Sequence, residues 1–156
     1  MQAMGESGYL EHTRLALEAR AIIRRGIEAV PELRVLGEPH GTIISWGAKD
    51  PRTNVYAIAD RVEARGWLLD RQQMPPSVHH TLTSNHLPVA EQLAADLAAG
   101  AAEVRADPGL AASGQAPMYG LMAKVPLRGM VRGSVMKVME SLYGPTGEAP
   151  DLSKLP

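Results

Sequence analysis

Cysteine is absent from the 156 residues, which excludes disulfides, thiolate nucleophiles and Cys-ligated zinc. Phenylalanine is absent too, and aromatics make up only 4% of the chain. The core must therefore come from Leu, Ile, Val, Ala and the eight Met, and each of Tyr9, Trp46, Tyr56, Trp67, Tyr119 and Tyr143 needs a reason. No apolar run approaches the roughly 20 residues that a membrane-spanning helix requires. Met1–Leu10 has neither the basic nor the apolar region of a secretory signal. A net charge of -1 supplies no field for nucleic acid or an anionic membrane, so neither is expected as a partner. Cytoplasm is the expected location. What is present, 45% hydrophobic and 21% charged residues, suits one soluble domain large enough for a real core.

Hydrophobic spacing predicts the elements. From about Gly8 to Val30 the chain is rich in good helix formers, with Ser7 as cap and Pro31 as stop. Leu10, Thr13, Leu17 and Ala21 form one stripe; Tyr9, Ala16, Ile23, Ile27 and Val30 form a second. Leu33–Leu36 and Thr42–Trp46 read as strands around turn residues Gly37, Pro39 and Gly41. Val55, Ile58, Ala59 and Val62 give a short helix, capped by Asn54 and followed by Gly66. Trp67–Asp70 and Val78–Thr83 read as two further strands, with Pro75-Pro76 between them forbidding a continuous ladder. Val89, Leu93, Leu97 and Val104 mark a helix with Pro88 near its first turn, ending before Asp107-Pro108-Gly109. Leu110–Pro126 reads as a loop, and Val131, Val135, Val138 and Leu142 as a last helix. The tail, 144–156, lacks periodicity and is expected to be disordered. The resulting fold class is α+β, a two-layer sandwich of a small antiparallel sheet covered by helices, in a single small domain over residues 1–143.

Few side chains suggest chemistry. His79 and His80 point to opposite faces of a strand, and no Asp or Glu lies between Gln72 and Ala90 to complete a metal site with His86. No Gly-x-Ser-x-Gly elbow and no Gly-rich phosphate loop is present. Arg14, Arg20, Arg24 and Arg25 alternate with Glu11, Glu18 and Glu28, the pattern of a solvated helix face. Tyr119, in Gln115-Ala116-Pro117-Met118-Tyr119-Gly120, reads either as a packing anchor for its loop or as a phenol donating to an anion.

Five segments stand in a fixed order and spacing: Gly8-Tyr9-Leu10-Glu11 with Thr13-Arg14, Arg65-Gly66-Trp67-Leu68-Leu69, Pro75-Pro76-Ser77-Val78-His79, Pro117-Met118-Tyr119-Gly120 and Ser141-Leu142-Tyr143. Together they resemble the sphingosine-1-phosphate lyases. The likeness runs from about Gly5 to Tyr143 and points to the C-terminal small domain of a pyridoxal-phosphate (PLP) carbon–carbon lyase. Residues 1–30 would be the helix linking it to a large domain. A PLP amino-acid decarboxylase of the same superfamily, or a stand-alone non-catalytic binding module, is kept as the alternative.

The resemblance implies a homodimer of fold-type-I architecture that cleaves phosphorylated long-chain bases. It implies a PLP-bearing lysine that follows a histidine in the large domain. None of Lys49, Lys124, Lys137 and Lys154 follows a histidine. No catalytic residue, PLP ligand or metal ligand is therefore assigned to this chain, and no activity is expected of it in isolation. Tyr119 alone carries over, as a group that helps hold the substrate phosphate in the assembled enzyme. His79 and His86 match histidines of the family without an assigned role.

Overall fold

Asn54 shows how local chemistry sets an element: its side-chain oxygen accepts from the amides of Tyr56 and Ala57, at 3.0 and 3.1 Å, and opens a helix. In the computed structural model, which describes residues 3–124 with Gly133, Met136, Met139, Glu140 and Tyr143, that helix is α2, Val55–Glu63. The order along the chain is α1 Gly5–Ala29, β1 Leu33–Leu36, β2 Ile43–Ala48, α2, β3 Asp70–Gln73, β4 Pro76–Thr81, α3 Ala90–Ala106 and α4 Ala116–Lys124. Two 3₁₀ segments, Ser84–Val89 and Pro108–Ala112, flank α3. Contacts divide the chain into Met1–Ala123 and Lys124–Pro156. The described residues of the second unit are helical at Gly133, Met136, Met139, Glu140 and Tyr143. The expected last helix at Val131, Val135, Val138 and Leu142, and the tail 144–156, lie outside the described residues.

The four strands form one antiparallel sheet in the order β1-β2-β4-β3. Period-two alternation sorts its residues into two faces. Ile44 pairs with His80, and Trp46 with Val78, and all four are buried. Ser45, His79 and Asp70 line up across the other face. Helices α1 and α2 pack on the sheet, and α3 packs on both of them. The core joins Ile23, Ile27, Leu33, Ile44, Trp46, Ile58, Val62, Val78, Leu93 and Leu97. This is the expected α+β class, with a small sheet covered by helices. The close crossing of α1 and α3 needs Gly26, where an added Cβ would lie 2.4 Å from the Ala94 Cβ. Among the described residues no helix is long and apolar enough to cross a membrane.

Five details differ from the expectations. Ser7 is not a cap: α1 begins at Gly5, with Met4 before it and no side-chain cap bond. Of the two α1 stripes, Ala16, Ile23, Ile27 and Val30 are buried, whereas Leu10, Thr13 and Tyr9 are exposed because the sheet and α3 cover only the later turns. The third strand lies at Asp70–Gln73 and not at Trp67–Asp70. Trp67 is instead tethered to α3, its Nε1 donating to Asp96 Oδ2 at 2.7 Å. The fourth strand starts at Pro76, opposite Gln73, and ends at Thr81, because Thr83 and His86 cap the 3₁₀ segment reciprocally. Leu110–Pro126 is not one loop, since it holds the second 3₁₀ segment and α4.

Candidate functional site

Tyr119 is the fourth residue of α4, half-buried, and its seat is assembled from two other elements, α2 and β3. Its ring meets the Tyr56 ring of α2 at 5.6 Å between centroids, tilted by 39°. The Arg71 guanidinium of β3 lies 5.4 Å from the Tyr119 ring centroid, a cation–π distance. Tyr56 is fixed in turn by donating from its hydroxyl to the Gln72 carbonyl at 2.6 Å, and burial pushes its pKa up. The expectation of a loop-tip phenol is thus replaced by a helical tyrosine packed between an aromatic and a cation. Its packing role is plain, and no described residue accepts a hydrogen bond from its hydroxyl.

Arg71 is only 2% exposed and is held by two carboxylates. It donates to Glu63 through both terminal nitrogens, at 2.8 and 2.7 Å, and to Asp60 Oδ1 at 2.5 Å. Burial alone pulls its pKa down, but the Glu63 and Asp60 contacts outweigh that and the net shift is upward. The other oxygen of Asp60 accepts from the Gln115 and Ala116 amides at 3.0 and 2.9 Å. One carboxylate therefore joins α2, β3 and the start of α4.

The histidines do not converge. The Trp46 indole donates to His80 Nε2 at 2.8 Å in the core, and burial, with His86 and His79 adding to it, lowers the His80 pKa to about 4. His79 lies on the other sheet face, its Nε2 3.5 Å from Asp70 Oδ2. His86 Nδ1 accepts from the Thr83 amide at 3.0 Å, a capping role. No group of three metal-ligating side chains gathers among the described residues. The arginines of α1 pair locally, Arg14 with Glu11 and Glu18 and Arg24 with Glu28, while Arg20 donates to the Pro39 and Gly41 carbonyls.

A PLP seat needs an enclosed amine and a phosphate cradle. Lys49, just past β2, is exposed, and the Tyr119 cluster carries one cation against two carboxylates. The described residues do not fit the cofactor, and a 310 Å³ cavity lined by Glu32, Asp50, Arg52 and Arg105 holds no lysine either.

No protein-family model matches the chain. Individual proteins do. Over 143 residues, 92% of the chain, it is 36% identical to the sphingosine-1-phosphate lyase of Arabidopsis thaliana. It is 35% identical over 141 residues to that of Oryza sativa and 25% identical over 146 residues to that of Saccharomyces cerevisiae. The chain spans about a quarter of the length of these relatives (26%, 26% and 24%). A solved structure of a sphingosine-1-phosphate lyase from Burkholderia pseudomallei matches 92% of the chain with a TM-score of 0.65 at 23% identity, covering 28% of that structure. It has the same fold.

Proposed function

We propose that the chain, similar along nearly its whole length to one segment of the sphingosine-1-phosphate lyases, is the C-terminal small domain of a PLP-dependent carbon–carbon lyase of that type. The carrying observation is the 36% identity that extends over 92% of the chain while covering 26% of the plant enzyme. The remaining three-quarters of such an enzyme would supply the large domain, either as part of the same polypeptide or as a separate one. That domain would hold PLP, whose ring is an electron sink for carbon–carbon cleavage. The substrate is a phosphorylated long-chain base, cleaved to a fatty aldehyde and phosphoethanolamine.

In that assembly the part of this chain is binding. Tyr119 donates its phenolic proton in a hydrogen bond to a phosphate oxygen of the substrate. Its hydroxyl has no acceptor among the described residues, and its ring is fixed by Tyr56 and Arg71. Exposed apolar side chains support a docked large domain and a homodimer: Tyr9 and Leu10 on the first turns of α1, and Leu68, which is 92% exposed. The working location is the cytoplasm.

The test is the size and activity of the native polypeptide, isolated from source cells with an antibody raised against this chain. A protein of full lyase length, or a complex with a large domain, that releases fatty aldehyde from a phosphorylated long-chain base supports the reading. Release of carbon dioxide from an amino acid would assign a decarboxylase instead. A free chain of 16.7 kDa without such a partner would leave a non-catalytic module.

A further inference from the structure

We propose that Asp60 and Arg71 are positioning residues for Tyr119, setting where its hydroxyl meets the substrate phosphate. This rests on the reading of Tyr119 as a phosphate donor. A helix start leaves amides that need acceptors, normally met by a side chain just before the helix. At α4 the nearby Ser113 hydroxyl is engaged elsewhere, donating to the Leu110 carbonyl at 3.0 Å. Asp60 takes the role from α2, its Oδ2 accepting from both Gln115 and Ala116.

The seat is shaped for that carboxylate. Gly114 has φ +65°, and a Cβ there would lie 2.5 Å from Asp60 Oδ2. Only glycine allows both the turn and the approach. Asp60 Oδ1 accepts from Arg71, and Arg71 lies over the Tyr119 ring. The start of α4 and the aromatic ring one turn later are thus referred to the same two side chains. Arg71 faces two carboxylates, so it has no surplus charge for a phosphate, and its part is to hold the ring.

The test uses the native holoenzyme and steady-state cleavage of a phosphorylated long-chain base. Tyr119→Phe and Asp60→Ala should each raise KM by about tenfold with little change in kcat, the scale of one hydrogen bond to a charged group. Asp60→Asn, which keeps an acceptor for the amides, should raise it less. The double variant Tyr119→Phe with Asp60→Ala should be no worse than either single one, because both remove the same contact. Val62→Ala, a core change in α2, should lower Tm and leave KM alone. An unchanged KM in Asp60→Ala beside a raised KM in Tyr119→Phe overturns the proposal, as do multiplying effects in the double variant. If the wild type cleaves no such substrate, or Tyr119→Phe changes nothing, the phosphate reading fails. NMR of the 156-residue chain then decides the positioning by itself. Asp60→Ala should abolish exchange protection at Gln115 and Ala116 and shift the Tyr119 ring signals, and unmoved signals would sink it.

Discussion

The Trp46 indole N–H donates to His80 Nε2 at 2.8 Å, across the buried face shared by β2 and β4. The bond needs a lone pair on that nitrogen, so His80 must be neutral there. Burial is the largest reason that its pKa falls to about 4. The unfolded chain takes up this proton near pH 6.5 and the folded chain only near pH 4. Stability is therefore full above about pH 6.5 and is lost as pH falls toward 4, by on the order of 3 kcal/mol from this group. Urea midpoints at pH 7.5 and pH 5 measure it. His80→Gln keeps an acceptor for the indole and should flatten the slope.

Arg71 is the charge whose removal should cost most. Arg71→Leu leaves Asp60 and Glu63 mostly buried and facing one another without a cation. We expect a loss of about 3 kcal/mol, at the lower end for a broken buried pair because both carboxylates keep some exposure. Adding Glu63→Gln to Arg71→Leu should recover part of it. Equilibrium denaturation of the single and double variants checks both statements.

Asn54 caps the helix that carries Tyr56 and Asp60. Asn54→Ala should destabilise the chain by about 1 kcal/mol, and Asn54→Asp should be close to neutral. Thermal melts followed by far-UV circular dichroism separate the two.

Gly26 lets α1 and α3 touch. Gly26→Ala puts a methyl group 2.4 Å from the Ala94 Cβ, and the helices must separate or shift. An overpacking cost of about 1–3 kcal/mol follows, partly relieved by Ala94→Gly in the same chain. A full thermodynamic cycle on the four proteins gives the coupling.

What could be read in advance was what is encoded locally. Asn54 and the apolar run after it determine α2 by themselves, and Asp107-Pro108-Gly109 ends α3 where such a run must end. β3 was misplaced because Asp70-Arg71-Gln72-Gln73 has no apolar alternation; it is an edge strand paired on one side by β4. Tyr119 seemed to lie in a loop because its helix is capped by a residue 56 positions away. The same distance hid the site. Tyr119 stands out from its Pro- and Gly-flanked context and takes its phosphate role from the resemblance, whereas Tyr56, Asp60 and Arg71 gather around it only once α2, β3 and α4 are packed. A lone arginine within a polar strand was the one trace of it in the linear order.

The sheet closes on β1 and β3, each four residues long, and β3 carries Asp70 and Arg71 with two glutamines. Two such short edges, β3 polar throughout, give an incoming strand little to extend, so the fold is a poor template for fibrous cross-β growth. If copies of this chain clump when made alone, the contact will run through exposed helix side chains such as Tyr9 and Leu10. Such clumps should dissolve on polar substitution there while the sheet stays as it is.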